Sequence, residues 1–393
     1  MITFDLIDLT PAPGLAPPVL DDTSEKNEMF HGPAPDAITA ARTDAEIAKE
    51  FLGRGELSAA SLANTQKELF RFLTWCREEV NKPLRALRVA DLNAYKAFLK
   101  HPPPDWVSTT RWPRSDARYR PFSGQLADGS RRQALVAVKG LLAYAEKSGY
   151  LRRDPGALVK NIKAQSGARI TRYLHQEAIA LALATIAARV PGCESEIKRQ
   201  ALDRFLLTAY ASTGARLSEI VGATMGAIYN EGDGRWWLDV VGKGNKLRRL
   251  PVSIGLLEVF RAYRVAFGLT PQTNRTDATP LVLSIRRKDL SGVTNETAGN
   301  ALKGIFAEAA NAAEEDGDLD TAATLRNASA HWLRHSMLTN HANNGVQLKT
   351  LQDTAGHANI ATTARYLHKS DHERHDEIMI STNNQTAIPE VKK

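Results

Sequence analysis

Apolar residues recur at helical spacing through most of the chain. "DAEIAKEFLG", from Asp44, predicts a short helix. "SAASLANTQKELFRFLTWCREEV" predicts a longer one, because Leu62, Leu69, Phe72 and Leu73 fall on one face. "RVADLNAYKAFLK" adds a third helix with Asp91 in its first turn, where a carboxylate suits the positive end of the helix dipole. "SRRQALVAVKGLLAYAEKSGY" predicts a fourth, stopped by Gly149 and Pro155. The period changes in "RWWLDVVGKGNKLRRLPVS", residues 235–253. There Leu238/Val240 and Leu250/Val252 alternate on either side of a Gly-Lys-Gly-Asn turn, the pattern of a β-hairpin. "TPLVLS" predicts a further strand, and no internal repeat is visible.

These elements divide the chain. Residues 1–44, with "TPAPGLAPPVLDD" and "HGPAPDA", read as an acidic, Pro-rich disordered tail. A helical domain follows over 45–164, then a Gly/Ser/Arg linker at 165–172, then a second domain at 173–393 that is mainly α with a small β-sheet. The first domain is interrupted at 101–129 by "HPPPDWVSTTRWPRSDARYRPFSGQLADG". Its five prolines rule out a helix. The mixture of arginines with Trp106, Trp112 and Tyr119 suits nucleic-acid contact, and equally a long loop pinned to the core by its tryptophans.

Charge sharpens that picture. The 393 residues carry a net +7, but residues 1–50 hold three Lys/Arg against ten Asp/Glu, which leaves +14 for the remainder. Residues 101–172 alone hold fourteen Lys/Arg against five Asp/Glu. A body this basic predicts a polyanionic partner, since each neutralised phosphate releases condensed counterions. Arg111, Arg114, Arg118, Arg131 and Arg132 are the DNA-binding candidates. No apolar run is long enough for a membrane span, and the two cysteines, Cys76 and Cys193, have no short-spaced partner. A reducing cytoplasm is the expected compartment, and a Cys-rich zinc site is excluded.

Five stretches of the second domain could carry chemistry. In "STGARLSEI", Arg216 lies at the start of a helix, where a guanidinium beside free amides can clamp a phosphate oxygen. Taken alone, Arg216 is an ordinary i,i+3 ion-pair partner of Glu219. Lys243 sits in the hairpin turn "GKGNK", between glycines, and the surrounding sequence is not a nucleotide-binding Gly-rich loop. In "HWLRHS", His331 and Arg334 are i,i+3 and share a helix face. His331 and His335 also form an H-x-x-x-H pair, but Trp332 stands where a zinc protease requires Glu. His357 follows a helix-ending glycine in "AGHANI", and Tyr366 follows in "TARYLHK". His368, His372 and His375 read as the exposed face of a final helix rather than as metal ligands.

Each signal alone is weak; their order is specific. Arg216, Lys243, His331-x-x-Arg334, His357 and Tyr366 resemble the catalytic set of the tyrosine recombinases, or phage integrase family, and Arg365 directly precedes the tyrosine. The resemblance covers residues 172–380, and more loosely the first helical domain, which looks like the family's core DNA-binding domain. It implies a clamp of two domains around DNA and a tyrosine that cleaves and rejoins a strand through a 3′-phosphotyrosyl bond without metal or ATP. The phosphorane formed by phenolic attack must have its charge held by side-chain donors. Arg216, Arg334 and His357 fill that role, His331 assists proton removal from Tyr366, and Lys243 protonates the leaving 5′-oxygen. The implied partners are double-stranded DNA sites, a homotetramer on paired sites, and an accessory DNA-bending protein or partner recombinase. No cofactor or metal is expected. Alternatives are a type IB topoisomerase-like relaxing enzyme, a silent DNA-binding regulator with the same fold and, from its scattered acids least of all, a metal-dependent transposase.

Overall fold

The computed structural model describes residues 36–55, 57–163, 172–242, 244–287, 289–366 and Met379. The chain separates into two compact units, one through residue 166 and one from residue 167. The acidic tail through residue 35, most of the linker, Lys243, and the segment after Tyr366 that includes the three late histidines lie outside the described residues.

In the first unit, four helices surround an aromatic core: α1 (Asp44–Gly53), α2 (Ala59–Glu78), α3 (Val89–Phe98) and α4 (Asp128–Lys147). α1 starts in a capping box, where Thr43 accepts from the Glu46 amide while the Glu46 carboxylate accepts from the Thr43 amide. Packing begins a few residues earlier, since the amides of Ile38 and Thr39 donate to the Ser148 carbonyl and Ala41 is buried. Phe72 and Tyr95 meet edge to face, with centroids 4.9 Å apart, at the centre of the core.

The 101–129 segment is pinned at its two ends. Trp106 and Phe122 are buried, and around the Val107–Phe122 bridge the Phe122 amide donates to the Trp106 carbonyl while the Phe122 carbonyl accepts from the Ser108 amide. Trp106 also donates through Nε1 to Glu79, 2.6 Å away. Between them, Arg111, Arg114, Arg118 and Arg120 stay exposed. The expectation of a long loop pinned to the core holds at Trp106, while Trp112 is only half-buried.

The second unit is built around α6 (Glu194–Thr213), whose Phe205, Leu206 and Tyr210 are fully buried. α5 (Gln176–Ala188), α8 (Ile254–Ala266) and α9 (Asn295–Glu315) pack on it, with α10 (Leu319–Arg326) against α9. A five-residue helix α7 (Leu217–Val221) leads into a three-stranded antiparallel sheet of β1 (Ile228–Asn230), β2 (Trp236–Val241) and β3 (Leu247–Val252). The predicted hairpin is β2–β3, with Leu238 opposite Leu250 and Trp236 opposite Val252. β1 was not anticipated. Pro251 is tolerated because β3 is an edge strand and needs no amide donor on its open side. "TPLVLS" forms no strand. Leu281, Val282 and Leu283 are buried, but the stretch makes only isolated bridges, from Pro280 to Thr224 and from Leu283 to Gly292.

The end of the unit consists of α11 (Ala330–Asn343), α12 (Leu348–Ala355) and α13 (Ile360–Ala364). α6 and α12 both terminate on left-handed glycines, Gly214 at φ 58° and Gly356 at φ 61°. At Gly214 the left-handed backbone disfavours a side chain, and a Cβ would lie 2.2 Å from Met337 Cε, so the methionine would have to move.

Candidate active site

The site grows from the two helix ends that those glycines create. A helix terminus leaves carbonyls without intrahelical partners and carries partial negative charge. Arg334, on α11, occupies the gap between them. Its Nη1 donates to the Gly214 carbonyl at 2.6 Å, and its Nη2 donates to the Ala355 carbonyl. The residue is only 2% exposed. Burial, followed by the nearby Arg216 and Arg248, pulls its pKa down to about 10, so it is cationic at neutral pH.

A second guanidinium enters from α7. Arg216 is the N-cap of that helix, and its own amide donates to Glu219 Oε2 at 2.6 Å. Its Nη1 donates to Glu219 Oε1 at 2.7 Å, and its Nη2 reaches the Gly356 carbonyl at 3.3 Å. The expected Arg216–Glu219 ion pair is therefore real and forms part of the site. The amide expected to help clamp a phosphate is instead taken by Glu219.

Arg248, in β3, completes the group. It hydrogen-bonds both Glu219 and the Thr354 carbonyl. Burial alone would raise the pKa of Glu219; hydrogen bonds from Arg248 and from the Arg216 amide outweigh that and hold it low. Among these residues, three guanidinium charges share one carboxylate. The imbalance makes a receptor for an anion.

His357 follows Gly356 directly. Its Nε2 lies 3.1 Å from Arg334 Nη2, and its Nδ1 lies 2.8 Å from Thr363 Oγ1. An arginine can only donate, so Nε2 is the acceptor and Nδ1 carries the proton. Burial first, then Arg334 and Arg216, lowers its pKa to about 4, which leaves it neutral at pH 7.

Tyr366, two residues beyond α13, turns back into this group. It is 3% exposed, seated on Met337, Leu338, Leu351 and Ala355. Its ring is nearly parallel to that of His357, with centroids 6.1 Å apart. Its hydroxyl does not meet His331, the residue expected to take its proton. It lies 2.6 Å from His335 Nδ1 instead. His331 is exposed one turn earlier on the same helix, with its ring centroid 4.2 Å from that of His335. Two residues of the site were thus passed over in the sequence. His335 could have been found from its i,i+4 relation to His331, and Arg248 from its place opposite Val240 in the hairpin.

The five DNA-binding candidates differ in what holds them. Arg118 forms a two-pronged ion pair with Asp116 and lies 3.4 Å over Trp112. Arg131 pairs with Asp128, and Arg114 lies over Phe70. Among the described residues, Arg111 and Arg132 are exposed and have no ion-pair partner. No group of three or more His, Cys, Asp or Glu among the described residues is placed to hold a metal ion.

Known proteins share this architecture. The fold is that of the site-specific recombinases. A XerH recombinase solved on its difH substrate matches with a TM-score of 0.60 at 18% identity, over 87% of this chain and 85% of that one. The Tn1549 transposon integrase in complex with circular intermediate DNA matches with 0.57 at 18%, over 85% and 98%. In sequence, tyrosine recombinase XerD of Corynebacterium glutamicum is 24% identical over 314 residues, covering 79% of this chain and 88% of that protein. XerC of Rhodospirillum centenum is 28% identical over 346 residues, covering 85% and 86%. The phage integrase family model matches residues 183–373, a span that contains every residue of the site from Arg216 to Tyr366. Residues 183–373 thus match the phage integrase family, and the curated relatives similar to this chain are tyrosine recombinases.

Proposed function

We propose that this protein is a site-specific DNA recombinase that cleaves and rejoins strands through a covalent bond between Tyr366 and a 3′-phosphate. The observation that carries the reading is the buried phenol beside three guanidinium groups that share a single carboxylate. A phosphodiester supplies the missing negative charge, and the excess grows in value as the pentacoordinate transition state gathers charge.

In this reading, a scissile phosphate enters between Arg216 and Arg334. Its oxygens take N–H bonds that now end on the Gly356 carbonyl and on His357. His357 is then released from Arg334. It turns from acceptor to donor at Nε2, either by taking up a proton or by exchanging tautomer through the Thr363 hydroxyl. Tyr366 Oη attacks phosphorus, the bond to the 5′-oxygen breaks, and the leaving oxygen is protonated by Lys243. The phenolic proton passes first to His335 Nδ1, which the hydroxyl contacts, and His331, whose ring lies against that of His335, assists its departure toward solvent. Energy of the broken phosphodiester is kept in the phosphotyrosyl bond, so resealing needs neither ATP nor a metal.

Around this chemistry, the first unit with its basic 101–129 segment serves as a core DNA-binding domain. The segment after Tyr366 joins neighbouring protomers in a tetramer on two sites. Truncation after Lys369 should then spare single-site binding and impair strand exchange.

The reading is tested with a pool of sequence-randomised, nicked duplexes. Wild-type protein should form an SDS-resistant DNA adduct that peptide mapping places on Tyr366. Tyr366→Phe should form none while binding the pool equally well. An adduct that persists in the phenylalanine variant removes Tyr366 as the nucleophile.

A further inference from the structure

One polar contact in the mechanism above involves the reacting atom itself. Tyr366 Oη has a single hydrogen-bond partner among the described residues, His335 Nδ1 at 2.6 Å. The rings are tilted by 38°, with centroids 5.4 Å apart, so the contact lies along the imidazole edge. We infer that His335 is the positioning residue for the nucleophile, holding the phenol through Nδ1 so that its oxygen is fixed relative to the anion-binding guanidinium groups. The inference rests on the reading of Tyr366 as the nucleophile.

The direction of the bond follows from the surroundings. Burial raises the phenol's pKa, so the hydroxyl keeps its proton at neutral pH. Burial first, then His331, Arg334, Arg365 and His357, lowers that of His335 to about 4. Imidazole is thus neutral, and the phenol donates to its Nδ1 lone pair. A donor-only side chain at position 335 would fail, and so would an apolar one.

The backbone explains why such a hold is needed. Tyr366 lies beyond the last turn of the five-residue α13, and its amide makes one local bond, to the Thr363 carbonyl at 3.0 Å. A short helix gives a tyrosine tip little precision. α11, with fourteen residues packed on α6, is far more rigid. It presents Arg334 to the two helix-end carbonyls and His335, the very next residue, to the phenol. One rigid helix therefore sets the distance between anion receptor and nucleophile. A misplacement of about 1 Å in such a pair can cost about 100-fold in rate. His331 occupies a different place, exposed and one turn away from the phenol.

Side-chain shape supplies the test. Asn places an amide oxygen where His has Nδ1, whereas Gln places its amide group near the position of Nε2. His335→Ala, His335→Asn and His335→Gln are compared with wild type on the randomised nicked duplex pool at saturating protein. Adduct rate, pool affinity and thermal melting are read for each. We expect His335→Ala to form adduct about 100-fold more slowly at unchanged affinity. His335→Asn should recover part of the rate, and His335→Gln should not. An Ala variant as fast as wild type overturns the inference, as does a Gln variant that matches Asn. Should the Ala variant fail to fold, the Asn–Gln comparison decides alone. A wild-type protein that forms no adduct on Tyr366 defeats the nucleophile reading itself. A wild-type adduct with unaffected His335 variants defeats only this inference.

Discussion

Arg334 Nη2 donates to His357 Nε2 across 3.1 Å, and that contact fixes which imidazole nitrogen holds the proton. The proton sits on Nδ1, facing Thr363. A histidine so placed is an acceptor in the DNA-free protein and must become a donor before it can serve a phosphate.

A pH dependence follows. The native pKa values of His335 and His357, both about 4, lie below the ordinary 6.5, so the unfolded chain binds the extra protons. Their contribution to stability is fully present above pH 6.5 and is lost as pH falls toward 4. The melting temperature of wild type should therefore fall more steeply over that window than that of His357→Gln. Parallel curves would show that His357 is not held neutral.

Glu219 stands between two arginines and its side chain is 1% exposed. Glu219→Gln removes the carboxylate that, among the described residues, pairs with Arg216 and Arg248 beside Arg334. Breaking a buried charge cluster from one side costs about 3 kcal/mol. Urea unfolding at pH 7 should show a lower midpoint with unchanged slope. A midpoint equal to that of wild type would mean that the arginines are compensated elsewhere.

The exposed arginines of the 101–129 segment should not be equivalent. Arg111 has no ion-pair partner among the described residues, whereas Arg118 is already held by Asp116, whose carboxyl that contact keeps at about 2. Arg111→Ala should flatten the dependence of log K on log salt by about 0.9. Arg118→Ala should change it less. The reverse order would place the DNA contact on the Trp112 side of the segment.

Lys243 lies outside the described residues, so its assignment rests on the sequence alone. Lys243→Ala should slow cleavage of ordinary DNA by about 100-fold or more. A substrate with a 5′-phosphorothiolate leaves without needing a proton, and should be cleaved by the variant at close to the wild-type rate. Equal slowing on both substrates would exclude Lys243 as the general acid.

Much of this is legible in the sequence, because it lies in local pattern. Leu238, Val240, Leu250 and Val252 alternate, and the hairpin they predict forms with those side chains buried. The order Arg216, His331, Arg334, His357, Tyr366 was equally readable, and the fold brings Arg216, Arg334, His357 and Tyr366 into one neighbourhood. What escaped depends on contacts distant in sequence. Buried Leu281–Leu283 reads as a strand by composition, yet no named strand among the described residues pairs with it. In the sequence His335 reads only as half of a metal pair with His331. Its true partner, Tyr366, is 31 residues on, and no spacing rule connects them.

The bonds from Arg334 to the carbonyls of Gly214 and Ala355 tie this guanidinium to the main chain of the protein's own helices. A group anchored in that way reads no base and favours no DNA letter. Choice of target must reside in other side chains, on surfaces that can be redrawn while these helix ends are left alone. On the reading proposed above, redirecting such a protein to a new address in a genome would leave these helix ends as fixed hardware and change only the addressing surfaces.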